Sequence, residues 1–145
     1  MTDQSAIRTA DYYAGLKMAA AGHFFNHNNA AARIASLFLA LLEQQFPVKS
    51  PDQPLKTKTA HAFAQQLFIH VNHLNRSMKL VTGKSTSAHI AERIMAEAHI
   101  MLQYTDWNIG EIAYALGFEY PAHFNNFYKK RTGTTPTDFR VSIRV

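Results

Sequence analysis

Apolar positions between Asn29 and Phe46 recur at helical spacing, with Ile34, Leu37, Phe38, Leu41 and Leu42 falling on one face. The whole stretch from about Thr9 to Phe46 reads as helix, with Tyr12, Tyr13, Leu16, Met18 and Phe24 before a polar break at Asn26–Asn29. Asn29 offers an N-cap for the helix after the break. The segment Pro47–Pro54 holds three prolines in eight residues and cannot continue a helix, so it marks a boundary. Further on, Ile90, Ile94, Ala98, Met101 and Leu102 define the buried side of a longer helix over about residues 86–104. No segment alternates strongly enough to predict a strand. The pattern predicts an all-α chain.

The part beyond the prolines repeats itself. At an offset of fifty residues, Leu74-Asn75-Arg76-Ser77-Met78-Lys79 stands opposite Phe124-Asn125-Asn126-Phe127-Tyr128-Lys129. Thr82-Gly83-Lys84-Ser85-Thr86 stands opposite Thr132-Gly133-Thr134-Thr135-Pro136. Upstream, Phe63-Ala64 through Leu67 matches Ile112-Ala113 through Leu116, with one extra residue in the second turn. Each copy carries the punctuation of two short helices. Asn108 with Glu111 predicts a capping box, Gly117 a left-handed turn, Pro121 a first helical position and Gly133 a stop. Thr59 caps the first helix of the other copy, Phe68–Val71 form its turn, and Asn72–Val81 its second helix. The expected domains are an N-terminal helical segment, 1–50, and a body, 51–145. The body comprises a first helix-turn-helix at about 55–83, the linker helix, a second unit at about 108–133 and a final helix at 135–142.

Charge sharpens the picture. Residues 1–50 hold four basic and three acidic side chains, whereas residues 51–145 hold eleven and seven, so most of the net +5 lies in the repeated part. A basic domain of this kind suits a polyanion. The chain has no cysteine, which excludes disulfides, thiolate zinc sites and cysteine nucleophiles, and fits a reducing cytoplasm. No apolar run reaches membrane-spanning length.

Helix, tight turn, helix is the arrangement that delivers a second helix to the major groove of DNA. Small Ala64 and Ala113 fit where the helices of each unit cross, and Leu67, Leu74, Leu116 and Phe124 fill the wedge between them. The outward face of each second helix is polar: Asn72, His73, Asn75, Arg76 and Lys79 in the first, Ala122, His123, Asn125, Asn126, Lys129 and Lys130 in the second. Asparagine reads adenine and arginine reads guanine, while lysine mostly anchors phosphate. Two such units on one chain would read major-groove segments about one helical turn, roughly 34 Å, apart.

The run Ile109-Gly110-Glu111-Ile112-Ala113, Leu116-Gly117-Phe118, Pro121-Ala122-His123-Phe124, Tyr128-Lys129-Lys130, Thr132-Gly133-Thr134-Thr135-Pro136 and Phe139-Arg140 resembles the signature of the AraC/XylS transcription regulators. The resemblance covers about Leu55–Arg140. It implies a seven-helix DNA-binding domain, double-stranded promoter or operator DNA as partner, no cofactor, a bacterial cytoplasmic setting and, by analogy, activation with RNA polymerase as a further partner. It places base-reading positions on Asn72, Asn75 and Arg76 in the first unit and on Pro121, Ala122, Asn125 and Asn126 in the second. It leaves phosphate contacts to His73, Lys79, His123, Lys129 and Lys130. The second unit departs from the common pattern, because Asn126 stands where arginine is frequent and Pro121 and Ala122 have no hydrogen-bonding side chain. The first unit is therefore expected to carry most of the base readout. The helices before Phe46 resemble those that join such a domain to a separate sensor, and offer a face for a homodimer.

Metal binding and catalysis are the competing chemistries. His23 with His27 and His70 with His73 have metal-compatible spacing, yet neither pair has carboxylates beside it, and no metal is expected. An enzyme of the alkyl-transfer repair kind needs the missing cysteine, and no Ser/His/Asp set, paired carboxylates or phosphate-cradling glycine loop is present. A helical protein-interaction module is the alternative to the DNA-binding regulator.

Overall fold

The computed structural model describes residues 29–144. Among these, seven helices and no strands are formed: α1 (Asn29–Gln44), α2 (Ala60–Gln66), α3 (Val71–Thr82), α4 (Thr86–Tyr104), α5 (Ile109–Ala115), α6 (Pro121–Thr132) and α7 (Pro136–Ile143). The expected helix upstream of Asn29 and the His23/His27 pair lie outside the described residues.

Packing divides the chain into two units, one of residues 29–45 and 57–93, the other of 46–56 and 94–144. The division falls inside α4, between Arg93 and Ile94.

In the first unit α1 packs on α3, and α2 packs on α3. Phe38 of α1 meets Phe63 of α2 edge to face at 5.0 Å. The buried face of α1 is Ala32, Ala35, Phe38, Leu39 and Leu42, so Leu37, expected on that face, stands 56% exposed on the other side. α1 is thus a structural helix of the first helix-turn-helix unit. It is tied further by Gln45, whose amide donates to the Thr57 carbonyl at 2.8 Å and accepts from the Thr57 N–H at 2.9 Å. Arg93, itself buried, pairs its Nε with Glu43 at 3.0 Å.

The proline-rich stretch makes tertiary contacts of its own. Phe46, Val48 and Leu55 are buried. The Val48 N–H donates to buried Glu97 at 3.0 Å, and the Leu55 N–H to the Ala115 carbonyl at 2.9 Å. These contacts seat residues 46–56 in the second unit, because a short apolar segment finds its partner by packing and not by sequence proximity.

The second unit is closed by Arg140. Helices leave their last carbonyls without intrahelical partners. Arg140 spreads its guanidinium over those of Met101, Leu102 and Thr105 at 3.2–3.3 Å, and also donates to the Trp107 carbonyl. Arg144 adds a 2.7 Å bond to the Thr105 carbonyl. A planar fork of donors suits this cluster, and a cation at a helix C-terminus is favoured by the helix dipole.

Candidate nucleic-acid interface

The repeat read in the sequence is a repeat of structure. In the first unit the Ile69 N–H reaches back to the Ala64 carbonyl and the Leu67 N–H to that of Phe63. In the second, Phe118 reaches Ala113 and Leu116 reaches Ile112. Ala64 and Ala113 are buried, as close helix crossing requires. Leu74, Leu116 and Phe124 fill the wedges with no exposed surface, while Leu67 is half-buried.

Helix boundaries reflect the local chemistry. The Thr59 side chain accepts from the Ala62 N–H, and Asn108 with Glu111 forms the full capping box. Each second helix ends on a left-handed glycine, Gly83 at φ 78° and Gly133 at φ 80°. Just ahead, the Thr82 and Thr132 hydroxyls donate to the carbonyls four residues back, Met78 at 2.7 Å and Tyr128 at 3.0 Å. Both hydroxyls accept from the N–H two residues on, at 3.2 and 3.3 Å. The His89 ring Nε2 lies 2.7 Å from the Thr82 hydroxyl. With that hydroxyl's proton committed to Met78, His89 must be the donor, which fixes its Nε2–H tautomer. Burial, the neighbouring Lys84 adding to it and Glu92 opposing, pushes the His89 pKa down.

The two turns differ. The left-handed position is Gly117 at φ 83° in the second unit, but in the first it is Phe68 at φ 58° with its ring 95% exposed. The sequence pattern places this first turn at Phe68–Val71; α3 begins one residue earlier than that, at Val71, with His70 as its N-cap. The His70 Nδ1 accepts from the Asn72 N–H at 3.1 Å. The matching cap of α6 is Tyr120, whose side chain makes no cap bond and whose ring meets His123 edge to face at 5.4 Å. Sequence reasoning weighs His70 only as half of a metal-spaced pair with His73 and assigns no role to Tyr120, although the fifty-residue offset aligns the two.

The structure brings the expected contact residues onto the open sides of the two second helices. Asn72, His73, Arg76 and Lys79 are exposed on α3, and Pro121, Ala122, His123, Asn126, Lys129 and Lys130 on α6. Asn75 and Asn125, equivalent in the repeat, are half-buried. The Asn125 Oδ1 is buried and has no hydrogen-bond partner. Arg131, which the sequence pattern does not single out, lies over the Phe127 ring at 3.9 Å and bonds the Phe127 carbonyl. Beneath the face of α6, Tyr128 is buried, lies 3.0 Å from the His99 ring nitrogen and has its pKa pushed up to about 12 by burial, so it stays a neutral hydroxyl. Among the described residues no group of His, Cys, Asp or Glu is assembled to hold a metal, and no helix is long and apolar enough to cross a membrane.

A family model described as a helix-turn-helix domain matches residues 63–142, more than half of the chain. The chain belongs to the AraC/XylS family. It carries that family's DNA-binding domain with its two helix-turn-helix units. Over 78 residues, 54% of the chain, it is 28% identical to the HTH-type transcriptional activator RhaS of Mannheimia succiniciproducens, of which it covers 29%. The C-terminal domain of AraT, a response regulator from Geobacillus stearothermophilus, has a similar fold (TM-score 0.63, 24% identity, 75% of this chain and 84% of that one). So has the DNA-binding domain of AdpA, a global transcriptional factor solved with a target DNA (TM-score 0.57, 19% identity, 79% and 92%). The chain spans about a third of the length of the curated relatives it matches.

Proposed function

We propose that the chain regulates transcription by binding a bipartite duplex site, with α3 and α6 each entering a major groove. The observation that carries this reading is the doubled helix-turn-helix in which the exposed face of each second helix is polar and basic. On α3, Asn72 and Arg76 stand one turn apart and read bases, with Asn75 at the edge of the contact. On α6, Asn126 is the remaining exposed amide, Ala122 offers only a methyl for apolar contact, and Asn125 contributes through its amide end. His73, Lys79, His123, Lys129 and Lys130 hold phosphates. The role is that of a binding protein and not of an enzyme, in the cytoplasm, and activation is the favoured direction, as in RhaS. RNA polymerase is a proposed partner.

We retain the N-terminal helices as a proposed homodimer face, though most of the apolar stripe of α1 is used inside the first unit. What α1 leaves outward is Ala30, Arg33, Ser36, Leu37, Ala40 and Gln44. The proposed domains are an N-terminal helical segment, 1–50, and the DNA-binding body, 51–145, with α1 of the former packed on α3 of the latter.

Selecting binding sites from a random duplex pool with the purified chain tests the reading. A two-part enriched motif is the expected outcome. Arg76→Ala should relax one base position and weaken the best site by about 1–3 kcal/mol. A pool that stays random, under conditions where the chain is folded, sinks the proposal.

A further inference from the structure

We propose that His70 and Tyr120, equivalent residues at the starts of the two second helices, are a matched pair of DNA-backbone contacts that position α3 and α6. The inference rests on the DNA-binding reading above. N-cap positions are ordinarily filled by small polar residues that serve only the helix. Here both are rings, and both are exposed, Tyr120 by 55%. His70 already spends Nδ1 as the acceptor for the Asn72 N–H. Its neutral ring therefore carries its proton on Nε2, the nitrogen on the far side of the ring from the helix. In Tyr120 the cap bond is absent and the ring is held against His123. The hydroxyl, at the far end of that ring, is the polar handle the residue adds. Each unit thus sets one uncharged donor, an imidazole N–H or a phenol O–H, next to the first turn of the helix that carries its reading residues. The chemistry that accepts such a donor there is a phosphate oxygen of the same duplex, and contacts of this class fix register without reading sequence.

Because both donors are neutral, removing them should release no counterions, unlike removal of a lysine. Tyr120→Phe deletes only the hydroxyl. His70→Ser keeps an acceptor for the α3 N-terminus but retracts the outward donor. Each variant of the full chain is titrated against the site selected with the unsubstituted chain, at several salt concentrations, and melted without DNA. The expected result is about 3- to 10-fold weaker binding in each, with the log-log salt slope and melting temperature unchanged. Unchanged affinity in either variant overturns the matched pair, and so does weakening that comes with a lowered melting temperature. If the unsubstituted chain itself selects no site, the failure is that of the DNA-binding reading.

Discussion

Phe68 is the sharpest departure from local preference in the chain. A left-handed backbone costs a residue with a Cβ about 1–2 kcal/mol, and a ring that is 95% exposed returns little of that through burial. The second unit shows the relaxed solution, with Gly117 in the same place. Phe68→Gly should therefore raise stability by about 0.5–1 kcal/mol, the relief being partly offset by the greater freedom of glycine in the unfolded chain. Urea unfolding at neutral pH would show it, and an equal loss instead would mean that the ring packs in solution. Thr86 is a second misfit. Its hydroxyl is buried with no hydrogen-bond partner among the described residues, and the repeat places Pro136 opposite it. A buried unsatisfied hydroxyl costs about 1–3 kcal/mol, so Thr86→Val should gain about 1 kcal/mol by the same measurement.

Caps and glycines made the elements legible. Thr59, Asn108, Pro121, Gly133 and Thr135 act through their own neighbours, so their positions in the sequence were enough to place α2, α5, α6 and α7. The spacing of Ile90, Ile94, Ala98, Met101 and Leu102 likewise gave the buried side of α4. What could not be read was which surface an element meets. Leu37 and Leu39 both suit an apolar stripe, and only the position of α3 decides that Leu39 goes inward. The prolines of 47–54 announced the end of α1 correctly, but not that Val48 and Leu55 would bond to Glu97 and Ala115. Nor did the pattern reveal the polar residues inside α4, of which His89 has a measurable consequence. Burial lowers its pKa below the ordinary 6.5. The unfolded chain therefore takes up this proton at a higher pH than the folded one. Stability is unaffected by this group above about pH 6.5 and falls as pH drops below it, by at most about 1.4 kcal/mol per unit until the folded-state pKa is passed. Replacing it by His89→Gln keeps a donor for the Thr82 hydroxyl and removes the titration. Thermal melts from pH 7.5 to 5 should be flatter in this variant than in the parent, and parallel profiles would assign the acid sensitivity to other groups.

At the scale of the whole molecule, the two units share a scaffold but differ in what their second helices present. α3 sets Asn72, Arg76 and Lys79 outward, side chains whose chemistry suits adenine, guanine and phosphate respectively. α6 exposes only Ala122 and Asn126 at the corresponding part of its face, but has Lys129, Lys130 and Arg131 in its last turn, with Arg131 turned onto Phe127. On the proposed function the expected division of labour is unequal: discrimination concentrated in the first unit, electrostatic grip in the second. Salt separates the two contributions, because each phosphate neutralised on duplex DNA adds about 0.9 to the log-log slope. Lys129→Gln with Lys130→Gln should lower that slope by about 1.8, weaken good and poor sites alike, and leave the order of preference among sequences intact. Arg76→Ala should instead narrow the gap between good and poor sites. If the double lysine variant changes which sequence is preferred, α6 reads bases through its basic end. If its slope stays at the parent's value, the phosphate grip lies elsewhere on the chain.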